Sequence, residues 1–528
     1  MDATLIRNIH PSIHTISATM ISPTPAAALA LLTLPWPMTI PATPAAAIAA
    51  GSPTRASAMS VLPGDTGGSV PHLSSPPRTD PPISRRTLLR GAAGAGAALA
   101  AGGLPAWARA VAGEARRRRP DSLPFPHLPA GTPTMPQIRH VVVVIMENHS
   151  FDNLLGMVPW QVPGRAGVDG LSVRRGRVLD GNPSPGGGRV RASHAASPCQ
   201  LPRRPSQSWN ASHQSFDGGR NDGFVRASGP IAMRFWDRRD LPFTYSLLEH
   251  FPLGQRFFAS TLAQTYPNRR FFFTGTASGT ISTDQTTFHT PAANGTIFDR
   301  LDAHGIDWAD YFEDAPSPAI VPGTVTAARG SRFRKMERFF ADAAAGRLPQ
   351  FTFLDPNYVT TSEENPQDIQ VGERFLASVV HALMHGPGWR HTALFITYDE
   401  HGGYYDHVPP PRAPRPDSIP PMLGPGDVPG AYDRYGFRVP LIVVSPWARA
   451  GYVSSVTQDL TSITAFIERK WNLPAMTFRD ANAHPMTDYF DFARPPAFLR
   501  PPRLAAAPGL SRGLAACHRQ GLHPPLPR

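Results

Sequence analysis

The chain has 528 residues and a formal net charge of +12, with 51 lysines and arginines against 39 aspartates and glutamates. This length allows one large core or two domains. The chain has only two cysteines, Cys199 and Cys517, which exclude a disulfide framework and a thiolate zinc site. They allow a single disulfide bond with each other. Because the arginines are scattered rather than arranged in a stripe, the charge predicts no nucleic-acid partner.

The N-terminal region predicts export. Residues 84–90 read Ser-Arg-Arg-Thr-Leu-Leu-Arg, and a Gly/Ala-rich run leads from there to Ala112. This order is typical of a twin-arginine signal peptide over 84–112, so we expect the twin-arginine export machinery as a partner and a periplasmic, cell-envelope or secreted location. Residues 1–83 read as a disordered leader, and Met59 stands at an ordinary distance before the arginines, so translation is expected to begin at or near it.

Polar side chains end two strand-like runs. After a linker over 113–135, the β-branched run Val141–Ile145 stops at Glu147 and Asn148. A run without alternation is typical of a strand buried on both faces in a parallel α/β sheet, where ligands bind beyond the carboxyl ends of strands. A cap that opens a helix explains Glu147 and Asn148 equally well when this segment is considered alone.

The second run decides between these interpretations. Ala393–Ile396 is followed by Asp399 and Glu400 and then by two glycines. Clustered carboxylates repel one another unless a cation lies among them, and glycine lets the backbone turn tightly or approach a ligand. A divalent metal ion, of unknown identity, is therefore the simplest explanation of the two strand ends together.

Further elements alternate between strand and helix. The sequence predicts strands at 271–273, 351–354 and 441–444, and helices at 296–301, 371–385 and 461–471. Residues 159–206 are rich in Gly, Arg and Pro and predict a surface insertion, and residues 476–528 read as a Pro/Ala/Arg-rich tail. The alternation indicates an α/β layered fold, with one catalytic domain over 136–475.

Three motifs carry a family resemblance. They are Glu-Asn-His-Ser-Phe-Asp at 147–152, Thr-Tyr-Pro-Asn-Arg-Arg at 265–270 and Thr-Tyr-Asp-Glu-His-Gly-Gly-Tyr-Tyr-Asp-His-Val at 397–408. In this order they resemble the phosphoesterase family of bacteria and plants, which contains non-specific phospholipases C and acid phosphatases of the alkaline phosphatase superfamily. The resemblance implies an alkaline phosphatase-like layered fold, with a largely parallel central sheet flanked by helices.

The resemblance also implies the site. Thr265 corresponds to the nucleophile, and Arg269 would reach a phosphoryl oxygen. Taken alone, a threonine before a Pro-Asn turn is usually a cap or turn residue, so the role of Thr265 depends on the resemblance. The implied metal ligands are Glu147, Asn148, Thr265, Asp399 and Glu400.

Two histidines are added to the implied catalytic residues. His213 lies in a segment, 209–224, that matches a family motif and is expected to line the pocket, and His407 is expected to bind phosphate or transfer a proton. The chain departs from relatives at Asn365 and Leu460, where a histidine is frequent. Because an amide cannot transfer a proton at neutral pH, Asn365 leaves the general acid unidentified.

The sequence thus predicts a secreted metal-dependent phosphoesterase that acts through a phosphothreonine intermediate. A phospholipase C-like enzyme acting on phosphatidylcholine or a related phospholipid, with transient contact to a membrane surface, is the leading interpretation. An acid phosphatase acting on small phosphomonoesters is the alternative. A third interpretation, motivated by Asn365 and Leu460, is an exported phosphate- or phospholipid-binding protein with reduced or no turnover.

Overall fold

A computed structural model describes residues 117–199, 205–365 and 367–509. The predicted leader over 1–83, the predicted signal peptide over 84–112 and Cys517 lie outside these residues. Cys199 is buried. Among the helices of the described residues, none has the length and hydropathy needed to cross a membrane.

An eight-stranded sheet forms the centre of the described residues. In chain order its strands are β1 (His140–Met146), β2 (Leu253–Gly254), β3 (Trp308–Phe312), β4 (Phe333–Lys335), β5 (Phe351–Asp355), β6 (Thr392–Tyr398), β7 (Leu441–Val444) and β8 (Val453–Ser454). The spatial order is β4-β3-β5-β1-β6-β7-β2-β8. The strands predicted at 141–145, 351–354, 393–396 and 441–444 are confirmed.

The sheet is parallel from β4 to β6 and becomes antiparallel at β7. β1 lies at its centre, between β5 and β6, and its residues from Val141 to Met146 are fully buried. This explains why the run does not alternate, since both faces of the strand are covered. The predicted α/β fold with a largely parallel central sheet is confirmed.

Eleven α-helices are assigned within the described residues. They are α1 (Phe151–Leu155), α2 (Val158–Gln161), α3 (Trp209–Phe216), α4 (Phe224–Ser228), α5 (Pro242–His250), α6 (Thr265–Thr274), α7 (Ile297–Ala303), α8 (Met336–Ala344), α9 (Ile369–His385), α10 (Leu460–Trp471) and α11 (Phe478–Ala481). The predicted helices correspond to α7, α9 and α10 and are confirmed.

Helices cover both faces of the sheet. Phe353 of β5 and Phe395 of β6 both pair with Val143, so their side chains lie on one face, where Phe272 of α6 and Phe466 of α10 contact them. Tyr311 of β3 pairs with the next residue of β5 and therefore points to the other face. There it contacts Phe339 of α8.

The strand predicted at Phe271–Phe273 is wrong, because these residues belong to α6. Three consecutive phenylalanines fit a buried helix as well as a buried strand, and so short a run has no period that separates the two. All three side chains are fully buried. The helix ends at Gly275, whose φ of 72° is the left-handed conformation common after a helix.

The segments on either side of the predicted catalytic domain also pack against its body. The backbone of Asp121 donates to Ala475 O, and that of Thr134 donates to Lys470 O. Beyond residue 475, Met486 and Tyr489 are fully buried in the main core. The first part of the predicted tail is therefore folded, although its sequence shows no regular pattern.

The predicted insertion at 159–206 begins within α2 and then consists, where it is described, of turns and short strands. Val173–Arg174 pairs with Arg177–Val178, Gly181–Pro183 with Arg189–Arg191, and Ser193–His194 with Arg234–Phe235. One further two-stranded pair, Gln458–Asp459 with Phe257–Phe258, precedes α10. Most residues of the first two pairs are exposed or half-buried.

Candidate active site

The two polar strand ends lie side by side. Met146, the last residue of β1, is the register partner of Tyr398, the last residue of β6. Glu147 and Asp399 therefore leave adjacent strands at the same edge of the sheet. The backbone N–H of Asn148 donates to Asp399 Oδ1 at 3.1 Å, so one strand end is tied to the other.

Glycine allows the two strand-end loops to touch. Gly402 has a φ of 63°, and a Cβ at this position would lie 1.9 Å from the carbonyl oxygen of Asn148. Asn148 itself has a φ of 67°, a conformation that asparagine adopts more readily than most residues. The close approach therefore requires glycine on one side and is helped by asparagine on the other.

Thr265 is the first residue of α6 and is 6% exposed. Its Oγ1 lies 3.5 Å from Asn148 Oδ1. The N-terminus of a helix carries partial positive charge, and this environment favours an anion. The structure thus brings the predicted nucleophile next to a predicted metal ligand from a segment more than a hundred residues away.

Arg269, one turn further along α6, is placed differently from the sequence prediction. Its Nε donates to Asp399 Oδ2 at 3.1 Å, its Nη1 to the Tyr358 hydroxyl at 3.1 Å, and its Nη2 to Ile145 O at 3.0 Å. The guanidinium is 1% exposed and points into the protein. It holds Asp399 in position instead of presenting a free fork to a phosphoryl oxygen.

Buried negative charge dominates the electrostatics. Burial raises the pKa of Glu147, and the charges of Glu364 and Asp399 raise it further. Burial and Asp399 raise the pKa of Glu400, while for Asp399 itself the upward effect of burial is partly offset by Arg269. One arginine does not balance this many carboxylates, and a cation bound among them would.

The residues fit a divalent metal ion. Glu400 Oε1 is buried and has no hydrogen-bond partner among the described residues. The other Glu400 oxygen, Oε2, accepts from Gly402 N at 2.8 Å, so the turn fixes this carboxylate. Carboxylate, amide and hydroxyl oxygens are the ligands that hard divalent cations prefer. Glu147, Asn148, Thr265, Asp399 and Glu400 would supply them.

Glu364 was missed by the sequence analysis as a site residue. It is 9% exposed, and its charge acts on both Glu147 and Glu400. The only available signal was its place beside Asn365, in the segment where relatives frequently have a histidine. Nothing in the local pattern of 363–365 shows that this segment returns to the strand ends.

His407 lies in a separate cluster of charges. Its Nδ1 is 2.6 Å from Asp152 Oδ2 and its Nε2 is 3.1 Å from Asp169 Oδ1. Burial alone would lower the pKa of His407, but Asp152 more than offsets it and the pKa rises to about 9. Among the described residues, no hydrogen bond or ion pair joins His407 to Thr265 or to the predicted metal ligands.

The charge cluster around His407 connects the two loops that follow β1 and β6. Arg438 donates to Asp152 at 3.0 Å and to Asp406 at 2.8 Å. Ser150 Oγ donates to Tyr405 O at 2.6 Å in the same region. Arg438 and the protonated ring of His407 together carry two positive charges, which balance the negative charges of Asp152 and Asp406.

His213 lies on α3 and lines an open cavity of about 670 Å³. Its ring packs on Trp209 with 4.2 Å between centroids, and its Nδ1 is 2.8 Å from Trp209 O. That His213 lines the catalytic pocket stays a prediction. None of the five predicted metal ligands lines this cavity.

The two departures from the relatives have different surroundings. Leu460 is fully buried in the main core, at the first residue of α10. Asn365 accepts a hydrogen bond from the Tyr404 hydroxyl at 2.7 Å, and its Nδ2 is buried without a partner among the described residues. The side chain of Asn365 therefore has an unused donor.

The threonine at the start of α6 and the buried carboxylates after β1 and β6 place the candidate active site at the carboxyl ends of parallel strands, where α/β proteins bind their ligands. Residues 138–474 match the model of the Phosphoesterase family. The chain belongs to this family.

Named relatives point to the same class. The chain is 30% identical over 386 residues to non-specific phospholipase C1 of Arabidopsis thaliana, a match that covers 67% of this chain and 71% of that one. It is 28% identical over 447 residues to phospholipase C A of Mycobacterium tuberculosis, with 71% and 82% covered. It is also 28% identical over 461 residues to the non-hemolytic phospholipase C of Pseudomonas aeruginosa, with 78% and 64% covered.

Proposed function

We propose that this protein is an exported phospholipase C-like enzyme that hydrolyses phosphatidylcholine or a related phospholipid through a phosphothreonine intermediate. The observation that carries the proposal is the position of Thr265 Oγ1, at the N-terminus of α6 and 3.5 Å from Asn148 Oδ1. Asn148, the residue that Thr265 contacts, is itself bonded through its backbone N–H to the buried carboxylate of Asp399. The names of the relatives support the choice of a phospholipid.

The reaction proceeds in two displacements at phosphorus. Thr265 Oγ forms a bond to phosphorus while the bond from phosphorus to the diacylglycerol oxygen breaks, and that oxygen takes up a proton. Water then attacks the phosphothreonine, so that the phosphorylated head group leaves and the Thr265 hydroxyl is regenerated. A divalent cation bound at the site supplies charge stabilisation and lowers the pKa of the threonine hydroxyl.

The remaining site residues have positioning roles. Arg269 fixes Asp399, and Gly402 fixes the Glu400 carboxylate. Thr265 lies at the N-terminus of α6, whose partial positive charge would stabilise negative charge on a group transferred there. Asn365 can donate a hydrogen bond to a leaving oxygen or to water, but it cannot supply a proton.

The test combines turnover with detection of the intermediate. We expect the purified protein to release head group from phosphatidylcholine, a chelator to abolish this turnover, and Thr265→Ala to have none. Thr265→Ser should retain part of the activity, because its hydroxyl is kept. Acid quenching during turnover of phosphatidylcholine should yield a peptide that carries phosphocholine esterified to Thr265, detectable by mass spectrometry.

Other results would redirect the proposal. Turnover of para-nitrophenyl phosphate without any of phosphatidylcholine would identify an acid phosphatase. Binding of phospholipid without turnover would identify a binding protein, as the departures at Asn365 and Leu460 suggested. Full activity of Thr265→Ala would contradict the proposed nucleophile.

Export is part of the proposal and depends on residues 84–112, outside the described part of the chain. The support is the order of paired arginines, apolar run and small residues. A double Arg85→Lys, Arg86→Lys change should retain the precursor in the cytoplasm of a bacterial host, whereas the unchanged chain is exported. Export that survives this double change would exclude the twin-arginine route.

A further inference from the structure

An apolar loop lies exposed beside the candidate site. The 418–430 loop has the sequence Ser-Ile-Pro-Pro-Met-Leu-Gly-Pro-Gly-Asp-Val-Pro-Gly, with one charged residue in thirteen. Four of its large apolar side chains are exposed, with Met422 the most open at 54%. The other three are Ile419, Leu423 and Val428. Single exposed apolar residues are ordinary, but four within ten positions form a patch that indicates a binding surface.

The 418–430 loop is held in place by its own backbone. Met422 N donates to Gly279 O at 2.8 Å, and Val428 N donates to Asn210 Oδ1 at 2.8 Å. Val428 O accepts from the Trp209 indole at 2.8 Å. Because these contacts use backbone atoms of the loop, they fix its position and leave its apolar side chains directed outward.

The anchors of the loop connect it to the candidate site. The 276–283 segment, which includes Gly279, returns to the start of α6, where Thr283 N donates to Gln264 Oε1 at 2.8 Å. Gln264 directly precedes Thr265. On its other side the loop forms one wall of the cavity that His213 lines, through Gly426 and Val428. The loop is thus connected through the 276–283 segment to the residue that precedes Thr265.

The charge of the surrounding segment indicates what the loop meets. Residues 408–434 carry three arginines and three aspartates, so their net charge is zero. Asp427 is the one charged residue in the loop. Its carboxylate accepts a hydrogen bond from Gly424 N at 2.8 Å, within the loop itself. A surface that relied on anionic lipids would need a cluster of unpaired basic residues, and this segment has none.

We propose that the 418–430 loop inserts its apolar side chains into the interfacial region of a zwitterionic phospholipid surface and holds the candidate site against it. The inference rests on the proposed phospholipid substrate. The free energy falls when apolar side chains move from water to the acyl boundary. This stabilisation does not depend on anionic lipid or on salt.

The test separates surface binding from chemistry. In a Thr265→Ala background, which prevents hydrolysis, binding to phosphatidylcholine vesicles is measured by co-sedimentation for the unchanged loop and for Met422→Glu with Leu423→Glu. The matched control is Leu179→Glu with Leu499→Glu, which adds the same charge at two other exposed leucines. We expect the loop variant to bind at least about tenfold more weakly, and the control to bind as the unchanged loop does.

Turnover by the protein with Thr265 intact gives a second readout. We expect the loop variant to hydrolyse vesicular phosphatidylcholine at least about tenfold more slowly, but to hydrolyse a soluble monomeric short-chain phosphatidylcholine within about twofold of the unchanged protein. Equal loss on both substrates would overturn the proposal, because it would show damage to the site itself.

Other outcomes also overturn the inference. Vesicle binding that survives the loop change, or that requires anionic lipid and disappears in high salt, would contradict insertion by this loop. Self-association of the protein that the loop variant abolishes, without vesicle binding, would assign the surface to a second copy of the chain. If no phosphatidylcholine is hydrolysed in any form, the proposed function fails, and the co-sedimentation result still decides whether the loop binds lipid.

Discussion

Gly402 faces the backbone of Asn148 with no room for a side chain between them, since a Cβ on Gly402 would lie 1.9 Å from the Asn148 carbonyl oxygen. The contact joins the loop that follows β1 to the loop that follows β6. Both loops carry predicted metal ligands, so the geometry of the site depends on this one approach.

Gly402→Ala should therefore abolish most of the activity. The methyl group must push the two loops apart, and the φ of 63° at residue 402 is unfavourable for alanine. A displacement of about 1 Å at reacting groups costs roughly a hundredfold in rate. We expect at least such a loss in kcat/KM on the soluble substrate. Gly167→Ala, where a Cβ would meet nothing within 4 Å, is the control and should retain full activity.

Metal binding should stabilise the folded protein. Removing a chelator and adding a divalent cation at a hundredfold excess over its Kd should raise the free energy of unfolding by about 2.7 kcal/mol, because the unfolded chain does not hold the ligands together. Thermal unfolding with Mg²⁺, Mn²⁺ or Ca²⁺ measures this. Glu400→Gln should reduce the shift, since it replaces a carboxylate whose Oε1 is free to bind the ion. An identical shift in Glu400→Gln would show that the ion binds elsewhere.

Asn365→His should change the dependence on the leaving group. A histidine can donate a proton to a departing alkoxide, which an amide cannot, and general acid catalysis contributes roughly a hundredfold or more. We expect a gain in kcat for phosphatidylcholine, whose leaving group is an alkoxide, and little change for a para-nitrophenyl ester, whose leaving group needs no proton. Asn365→Gln is the control and should give no gain. An equal gain on both esters would contradict a role in proton donation.

His407 should make stability depend on pH. Its folded pKa of about 9 lies above the ordinary value of about 6.5, so the stabilisation is fully present below pH 6.5 and is lost as the pH rises through 9. Its size is on the order of 2 to 3 kcal/mol, from the shift of the pKa. Urea unfolding at pH 6, 8 and 10 measures the free energy of unfolding of the wild type and of His407→Gln. The difference between the two should narrow toward pH 10. A difference that stays constant or widens would contradict this assignment.

Arg269 should be required for stability as well as for activity. Its guanidinium contacts Asp399 and lies 3.6 Å from Asp355, both of which are fully buried. Removing one partner of a buried ion pair leaves an uncompensated charge and costs roughly 3 to 5 kcal/mol. We expect Arg269→Met to lower the free energy of unfolding by about this amount, measured with urea in the presence of a chelator. Arg220→Met, at a largely exposed arginine, is the control and should be nearly neutral.

The strands that carry the site can be predicted from the amino-acid pattern alone. β1 and β6 were predicted because a buried parallel strand reads as a continuous apolar run, and the polar residues that end it are visible in the chain. The same pattern indicated a divalent cation, since carboxylates at two strand ends repel one another without one. The family followed from three motifs, and the match over residues 138–474 confirms it.

Contacts between residues that are far apart in the chain could not be predicted from the local pattern. The inward orientation of Arg269, the charge of Glu364 close to Glu147 and the separate cluster of His407 all depend on contacts between segments far apart in the chain. The helix at 271–273 was missed for a related reason, because a short apolar run that is buried on all sides has no period to read. Local pattern fixes which residues form an element, and packing fixes which groups those residues face.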